Sequence, residues 1–298
     1  EANTRLSGPL HGTSGPLQVS DPSHKHPVSA AIIQAAIAAG LPATEDFNGD
    51  SQIGAGWYQI TANKGRRKSA AVAFLRPALA QGMLSVLTGH RACRVIIKNR
   101  RAVGIEAIAK GQMTRITARK EVILTAGSFV SPKLLMLSGI GPADNLHRFG
   151  IDLVQHAPDV GNHYQDHVGA PLTLHLRRSI GVHGADKGLR AVRHGLEYLL
   201  FRRGLLASAI IEGGAVADTD GDGRGDVQFN FAAFAPGAPG VQLACHSMQI
   251  HPMTMRPKSR GHLALASSDP AAQLQFTANA LDRDEDLDTL RRGVRLAR

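Results

Sequence analysis

Alternation of hydrophobic and polar positions dominates residues 84–125, where short apolar runs follow one another: LSVLTGH, CRVIIKN, AVGIEAIA, MTRITARK and EVILTAG. Every second side chain of a strand points to the same face, so this pattern predicts β-strands. The breaks at residues 98–101 and 110–112 are short enough for hairpins. The pattern therefore predicts a β-meander followed by one buried strand, Glu121 to Thr125, as in the lower half of an α/β nucleotide-binding domain.

Helical patterns occur on both sides of this region. Residues 27–39 read PVSAAIIQAAIAA and end at Gly40, which is typical of a short buried helix. Residues 187–203 place leucine and valine on one side of a helix and charged residues on the other: Arg190, Arg193 and Glu197. The stretches VQFNFAAF, QLACHSMQI and HLALASS predict strands of a second, mostly β region. The predicted fold class is therefore α/β (α+β), with an antiparallel sheet and flanking helices in the second part.

The predicted buried strand runs into AGSFVSPKLLMLSGIGP, residues 126–142. Ala126 and Gly127 have little or no side chain, so a ligand can approach the backbone closely there. Ser131 can cap a helix that starts at Pro132, whose missing N–H costs nothing at the first helical position. Lys133 adds charge beside helix N–H groups that suit an anion. An ordinary strand, turn and helix has the same local features, so both interpretations stay open at this point.

The charge of the chain favours anionic partners. Its 298 residues carry a formal net charge of +10, with a sequence pI near 10.1. The basic residues form only short, scattered clusters, and aromatic residues make up 4% of the chain, which argues against a nucleic-acid platform. Cys93 and Cys245 match no metal or CxxC spacing, which is typical of a reduced, intracellular protein. With no membrane-spanning stretch or signal peptide visible, a cytoplasmic or membrane-peripheral location is expected.

Both ends of the sequence indicate a piece of a longer protein. The chain opens at Glu1 within a polar stretch, and it closes on DRDEDLDTLRRGVRLAR. Apolar residues keep helical spacing there up to the last residue, with no glycine or proline stop. We therefore expect further segments on either side.

Two short motifs resemble metal sites. DTDGDGRGD places Asp218, Asp220, Asp222 and Asp226 at ligand positions of a calcium loop, but Phe229 stands where a bidentate glutamate is needed. A tight acidic turn is the favoured interpretation, and no metal site is predicted. HYQDH spaces two histidines four residues apart, but tyrosine stands where HExxH requires glutamate. A pair of loop histidines is therefore favoured over a zinc helix.

The string AGSFVSPKLLMLSGIGP resembles the second signature of the glucose-methanol-choline oxidoreductase family, flavoenzymes that oxidise alcohols. Four other stretches resemble the same family in the same order: the flavin-domain segment DFNGDSQIGAGWYQITANKGRRKSAAVAFLRPAL, the hairpin RAVGIEA, the loop VGNHYQDH and the substrate-domain strand RPKSRGHLALASSDP. The resemblance covers nearly the whole chain. It implies a partial FAD-binding, Rossmann-like domain with the β-meander at residues 1–160, and a truncated substrate-binding domain at residues 161–298.

The resemblance also implies site residues. Ala92 stands where the family contacts the adenine side of FAD through the backbone, and Ala126 and Gly127 stand where a strand end passes the cofactor. His163 occupies a loop position where the family more often has asparagine. Some family members bind a quaternary ammonium substrate through a carboxylate, so Glu212 is a hypothesis for a substrate contact. A glutamate at a strand edge facing water is the alternative for this residue.

The implied activity is FAD-dependent oxidation of CH–OH groups in choline-like or aliphatic alcohols, by hydride transfer from the carbinol carbon to flavin N5. The small alcohol is the only partner implied, and the electron acceptor is left open. The family's glycine-rich FAD loop and its catalytic histidine segment are both absent from this sequence. No catalytic residue is therefore assigned, and this chain alone is expected to be inactive. The competing interpretation is a non-catalytic calcium-stabilised or interaction module centred on residues 218–226.

Overall fold

A computed structural model describes residues 1–235 and 245–298. In these residues the helices are α1 Pro27–Ala38, α2 Arg76–Ala80, α3 Gly127–Leu137, α4 Ala143–Arg148, α5 Gly188–Phe201 and α6 Asp284–Ala297, with a π-helical turn at Ala71–Leu75 and a 3-10 turn at Leu205–Ala207. The strands are β1 Ala2–Asn3, β2 Gln18–Val19, β3 Gly54–Trp57, β4 Ala62–Asn63, β5 Arg66–Arg67, β6 His90–Lys98, β7 Arg101–Ala109, β8 Gln112–Thr117, β9 Ile140–Gly141, β10 Gln155–His156, β11 Leu172–His175, β12 Ile211–Ala217, β13 Val227–Ala232, β14 Ser247–Thr254, β15 His262–Ala264 and β16 Gln275–Thr277. The helices predicted at 27–39, at 187–203 and at the C-terminal end are confirmed. None of the helices within the described ranges has the length and apolar character needed to cross a bilayer.

The chain forms two compact units that interleave along the sequence. The sheet unit comprises residues 1–85, 167–256 and 285–298, and the meander unit comprises residues 86–166 and 257–284. The compact units therefore do not follow the single boundary expected at residue 160, because the chain leaves the sheet unit and returns to it twice. The functional division into residues 1–160 and 161–298 stays a prediction.

The sheet unit is built on a five-stranded antiparallel sheet in the order β11-β14-β13-β12-β3. Helix α1 packs on it through Val28, Ile32 and Ile33, and the end of α6 adds Leu296 and Ala297 to the same core. This sheet with its helices confirms the α+β class and the antiparallel sheet expected for the second part of the chain. Of the strand predicted at QLACHSMQI, residues 242–244 lie outside the described residues, and the strand observed there begins at Ser247.

Gly214 on β12 lies close to Tyr58, the residue that follows β3. Gly56 and Gly214 are register partners on these strands. The Tyr58 hydroxyl donates a hydrogen bond to the Phe229 carbonyl oxygen at 3.1 Å, and burial raises the pKa of this phenol. A Cβ on Gly214 would collide with the Tyr58 hydroxyl and with the Phe229 carbonyl oxygen. Position 214 therefore requires glycine because of space, whatever its backbone angles.

The meander unit confirms the predicted β-meander, since β6, β7 and β8 form a three-stranded antiparallel sheet. Glu106 on β7 is 6% exposed and accepts hydrogen bonds from Arg94 on β6 and Arg115 on β8. The hydrogen bond from Arg94 has the largest effect and lowers the pKa of Glu106, and the hydrogen bond from Arg115 lowers it further. One carboxylate thus bridges all three strands of the meander. The strand predicted at LSVLTGH is wrong, because β6 begins only at His90.

The buried strand predicted from Glu121 to Thr125 is also wrong for the described chain. These residues have no assigned secondary structure, and Ile123 is 73% exposed. A strand requires hydrogen-bonded neighbours, and none of the described strands pairs with this segment. The apolar pattern is present, but its partners are not among the described residues.

Helix α3 begins earlier than its sequence predicts. It runs from Gly127 to Leu137, so Pro132 lies inside the helix rather than at its first position. Pro132 is the sixth residue of α3, beyond the N–H groups that lack a partner at a helix start, so α3 forgoes one hydrogen bond to the Ser128 carbonyl oxygen. The Ser131 hydroxyl does not cap a helix start there; it accepts a hydrogen bond from the Ala126 backbone N–H at 3.1 Å.

The glycine pair gives a test of packing in the sheet unit. We expect Gly214→Ala to lower the free energy of unfolding by about 1–3 kcal/mol, because the added methyl group overpacks the strand against Tyr58. Gly195→Ala is the matched control, since a Cβ there meets no atom within 4 Å. Gly195 lies within α5, so alanine should be neutral or stabilising by up to ~1 kcal/mol. Urea unfolding followed by circular dichroism measures both, and equal effects of the two substitutions would contradict the packing argument.

Candidate functional site

The N-terminal end of α3 is open and rich in backbone groups. Ala126 precedes the first helical residue, and Gly127 has φ +86°, a left-handed conformation that favours glycine. A Cβ on Gly127 would meet no atom within 4 Å. The first N–H groups of a helix have no partner within the helix, so this end can donate hydrogen bonds to a ligand.

Lys133 does not lie at this helix end as the sequence suggested. Its ammonium group donates hydrogen bonds to the backbone carbonyl oxygens of Pro270 at 2.8 Å and Ala272 at 2.5 Å. The side chain therefore fixes α3 to the segment that precedes β16. Lys133 is a structural anchor of the meander unit, and the helix start lacks the positive charge assigned to it.

Three aromatic rings connect the start of α3 to the loop that carries His163. Phe129, Tyr164 and Phe276 contact one another edge to face, with ring centroids 4.8–5.5 Å apart. Phe129 lies in the first turn of α3, Tyr164 follows His163 directly, and Phe276 lies on β16. Such ring pairs are worth ~0.5–1.5 kcal/mol each beyond their buried area. This aromatic cluster holds two of the predicted cofactor segments against each other.

His163 adopts a left-handed backbone conformation with φ +62° and is exposed. Its Nε2 atom lies 3.1 Å from Asp159 Oδ1. The segment HYQDH forms no helix, so the two histidines do not present a zinc-binding face. Within the described residues, His163 and His167 are not part of any cluster of three or more metal-binding side chains.

Ala92 lies on β6, opposite Ala107 and beside an irregularity in the register between β6 and β7. Helix α3 packs against β6 in the same unit. The structure thus gathers Ala92, Ala126, Gly127 and His163 on neighbouring elements of the meander unit. None of these four residues lines the larger cavities of the described residues, although one cavity of the meander unit is lined by Cys93, next to Ala92. Ala92, Ala126 and Gly127 have small side chains and accessible backbone groups, so they can contact one edge of a flat cofactor but cannot enclose it.

Glu212 lies in the sheet unit and is not at a strand edge facing water, since it is only 1% exposed. Its Oε2 accepts a hydrogen bond from the His26 backbone N–H at 2.7 Å, and Oε1 accepts one from the Ser208 hydroxyl at 2.7 Å. His26 is the residue that precedes α1, so the carboxylate lies at the positive end of that helix. Burial lowers the pKa of His26, and the charge of Glu212 opposes this effect.

The backbone around Glu212 is strained. The register between β12 and β13 shifts from Ile211 to Gly213, which places Glu212 in a β-bulge. Ile210 has φ +67°, a conformation that is rare for a β-branched residue. Bulges and strained residues concentrate near functional sites. Sequence reasoning found Glu212 but missed its partners, although Ser208 stands four residues before it in SAIIE.

The acidic loop brings three carboxylates together. Asp218, Asp220 and Asp222 each offer an oxygen within 4.8 Å of the others. Asp218 already accepts hydrogen bonds from the Gly221 and Gly223 N–H groups. These bonds, above all the one from Gly223, lower the pKa of Asp218. These are the bonds of a tight turn, as the sequence predicts.

Asp226, the remaining ligand position of the loop, is engaged elsewhere. It accepts hydrogen bonds from the Thr219 N–H and hydroxyl and from Arg292 on α6. Arg292 also lies 3.9 Å from Asp220, and Arg256 lies 3.9 Å from Asp222. Arginine side chains thus offset the charge that would attract a cation.

The fold of the chain is that of known flavoenzyme and oxidase structures. Formate oxidase superposes with a TM-score of 0.85 at 22% identity, covering 100% of this chain and 58% of the oxidase. Pyridoxine 4-oxidase from Mesorbium loti superposes with a TM-score of 0.81 at 24% identity, covering 96% of this chain and 53% of that protein. At such identities the likeness establishes the fold.

The chain belongs to the GMC oxidoreductase family, whose model matches residues 3–176, more than half of the sequence. Human mitochondrial choline dehydrogenase is 40% identical over 289 residues, which cover 96% of this chain and 49% of the human protein. The oxygen-dependent choline dehydrogenase of Brucella suis is 38% identical, with 96% and 52% covered. The chain therefore spans about half the length of these relatives.

The hydrogen bonds of Glu212 give a test of its structural role. We expect Glu212→Gln to lower the free energy of unfolding by about 1.5–3 kcal/mol, because the amide lacks the charge that strengthens both bonds. Glu121→Gln is the control, since Glu121 is exposed and has no partner among the described residues. Chemical denaturation of both variants at pH 7 measures the difference. If Glu212→Gln were as stable as the control, the carboxylate would not hold β12 to α1.

The acidic loop gives a test of the calcium alternative. We expect 5 mM calcium, about five times the Kd of the weakest extracellular calcium sites, to leave the melting temperature within about 1 °C of its value in EDTA. Magnesium at the same concentration controls for ionic strength. Differential scanning fluorimetry measures the shift. A rise of several degrees with calcium alone, abolished by Asp218→Asn, would restore the calcium-stabilised module.

Proposed function

We propose that the protein to which this chain belongs is an FAD-dependent oxidoreductase that oxidises the CH–OH group of choline or a related aliphatic alcohol. The observation that carries the proposal is the match to the GMC oxidoreductase family over residues 3–176, joined to identities of 38–40% with choline dehydrogenases over 96% of the chain. The electron acceptor is not part of the proposal, because one of those relatives is named as oxygen-dependent and the other is not.

We propose the start of α3 as one wall of the FAD site. Ala126 and Gly127 leave the backbone accessible, the orphan N–H groups of the helix can donate to electron-rich atoms, and Ala92 offers backbone on the neighbouring β6. His163 can donate a hydrogen bond from the loop held by Tyr164 and the aromatic cluster. When bound, FAD supplies the acceptor for the hydride that leaves the carbinol carbon. The residues of this chain orient the cofactor and hold its surroundings.

For Glu212 we propose a part in recognising a cationic alcohol. Its two hydrogen bonds use one lone pair on each oxygen, and each oxygen has a second. A buried carboxylate keeps its attraction for a quaternary ammonium group, because little water screens it. The same two bonds fix its orientation, as substrate recognition requires. Its position in a bulge beside the strained Ile210 supports this role.

The site of action proposed for this activity is the cytoplasm or a membrane surface. The described helices contain no membrane-spanning candidate, and the sequence charge of +10 would attract the chain to anionic lipid. Fractionation of cells at low and high salt separates a free from a peripheral protein.

The product of the complete reading frame tests the proposal. We expect it to bind FAD and, without oxygen, to lose the flavin absorbance near 450 nm when choline or hexanol is added, because the carbinol hydride reduces the flavin. 2-Methylpropan-2-ol is the matched control, since it has a hydroxyl group but no carbinol hydrogen. Stopped-flow absorbance measures the reduction. A protein that binds FAD but is reduced by no primary alcohol would contradict the proposed reaction.

The Glu212→Gln variant of that product tests the substrate contact. We expect KM for choline to rise at least tenfold while KM for hexanol stays within about twofold, because only choline carries the charge that Glu212 would attract. An equal change for both alcohols would reduce Glu212 to a structural role.

A further inference from the structure

A cavity of about 860 Å³ in the sheet unit is lined by an unusual set of side chains. Its volume is within the range of small-molecule sites in proteins, roughly 300–1,000 Å³. Its walls come from the segment before α1, the loop 179–185, helix α5, the turn after it and residue His246. Five of its lining side chains are imidazoles: His24, His26, His183, His194 and His246.

The arginines of the cavity outnumber its carboxylates. Arg190, Arg193 and Arg203 line the cavity with one acidic residue, Glu197. Glu197 lies 3.7 Å from Arg203, so this pair largely neutralises itself. Arg190 and Arg193 have no ion-pair partner in the described part of the chain. The cavity therefore carries excess positive charge even when every histidine is neutral.

Helix α5 turns its charged face toward this cavity. Arg190, Arg193, His194 and Glu197 follow one another at the spacing of a single helix face, and all four line the cavity. The opposite face is apolar and solvent-exposed: Val192, Leu196, Leu199 and Leu200 are each more than half exposed. The sequence pattern alone predicts the reverse arrangement, with the apolar face inward. Arg190 and Arg193 are themselves exposed, so α5 borders an open polar cavity of the sheet unit and not the hydrophobic core.

Two of the imidazoles have unsatisfied atoms. His24 Nε2 and His194 Nδ1 are screened from solvent and have no hydrogen-bond partner in the described residues. Buried polar atoms without a partner destabilise the fold, and a ligand that supplies the partner removes that cost. His246, by contrast, is fixed, because its Nδ1 bonds to the Gly181 carbonyl oxygen at 2.8 Å and its ring contacts His183. An unsatisfied imidazole nitrogen donates or accepts according to its tautomer, so His24 and His194 can each donate a hydrogen bond to an anion when the proton lies on that nitrogen.

His26 limits the charge on the α1 side of the cavity. Its Nδ1 accepts a hydrogen bond from the Val28 N–H at 3.2 Å, which leaves the ring proton on Nε2. Glu212 lies behind His26 and bonds to its backbone, and Glu212 does not line the cavity. This wall offers a neutral N–H donor, and the α5 wall offers guanidinium groups.

We propose that this cavity binds a phosphate-like dianion. Guanidinium groups bind tetrahedral oxyanions through paired, charge-assisted hydrogen bonds, and imidazole N–H groups supply further donors. Ile180, Val182, Leu189 and Leu205 add an apolar part to the wall, so the dianion can be inorganic or the phosphate group of an organic molecule. Both sources share the same anionic group, and an experiment separates them.

The experiment is isothermal titration calorimetry of the full chain with inorganic phosphate, sulfate and phenyl phosphate at low ionic strength. We expect one saturable site for all three anions, since each carries the tetrahedral dianion. Tighter binding of phenyl phosphate would identify an organic phosphate as the ligand, and equal binding would identify the inorganic ion. Absence of a saturable site for every anion would overturn the proposal.

Paired substitutions locate the binding. We expect Arg190→Gln with Arg193→Gln to weaken sulfate binding at least tenfold, because both unpaired guanidinium groups are removed. His24→Gln with His194→Gln should weaken it about threefold or more. Arg100→Gln with Arg101→Gln removes the same charge from the exposed β6–β7 turn and should leave the affinity within about twofold. Circular dichroism checks that each variant is folded.

The comparison of sulfate affinities among these variants tests whether the anion binds in the cavity. A loss as large in the Arg100 and Arg101 variant as in the Arg190 and Arg193 variant would show general attraction to a basic protein and would overturn the site. Unchanged affinity in the Arg190 and Arg193 variant would do the same. If that variant were unfolded, the histidine pair together with Arg193→Lys would carry the test, since lysine keeps the charge but loses the paired hydrogen bonds.

Discussion

The buried carboxylate of Glu212 is the constraint around which the sheet unit is arranged. A charge that is 1% exposed must be matched by donors, and the His26 N–H and the Ser208 hydroxyl are those donors. The His26 bond places the start of α1 against β12, and the Ser208 bond places the turn Leu205–Ala207 on the same strand. The bulge at Glu212 and the strained Ile210 are consistent with this requirement, because the backbone must turn the carboxylate inward.

The same constraint connects the core to the cavity beside it. Since α1 begins at Pro27, the residues just before it cannot enter the core with the helix. His24 and His26 therefore line the polar cavity, and the residues after His26, such as Val28, Ile32 and Ile33, pack on the sheet. The hydrogen bond from the His26 N–H to Glu212 thus lies at the boundary between the hydrophobic core, which the residues after His26 enter, and the polar cavity, which His24 and His26 line.

Much of this fold follows from local patterns in the sequence. The meander is predictable because β6, β7 and β8 pair with their immediate neighbours through short turns, and local pairing leaves its period in the sequence. The amphipathic pattern also predicts α5 and α6, and the proline start, the apolar residues and the following Gly40 predict α1. The position of β3 is not predictable in this way, because it pairs with β12 from a distant part of the chain.

The errors have physical causes of the same kind. Residues 121–125 have the apolar alternation of a strand, but alternation records which faces would be buried, and a strand also needs a partner for its backbone groups. Ser131 and Pro132 have the composition of a helix start, yet the helix begins at Gly127, where φ +86° is accessible to glycine. For the site, the sequence and the family resemblance nominate Ala92, Ala126, Gly127, His163 and Glu212, and these assignments stay predictions. The sequence could not supply Ser208, the His26 N–H or the aromatic cluster, because these partners are defined by contacts and not by spacing.

Helix α5 shows most clearly how much a hydrophobic pattern leaves undecided. The hydrophobic pattern of an amphipathic helix predicts that the helix has an apolar and a polar face, but it does not predict which face contacts the neighbouring elements. Beside a core the apolar face turns inward, but here the charged face borders the histidine-lined cavity, where Glu197 pairs with Arg203. The helix ends at Arg202 in the left-handed conformation, followed by Gly204 with φ +82°, where Glu197 approaches so closely that a Cβ would collide with its carboxylate. The charged face of α5 thus borders the polar cavity, and the close approach of Glu197 to Gly204 leaves no room for a side chain just after the helix.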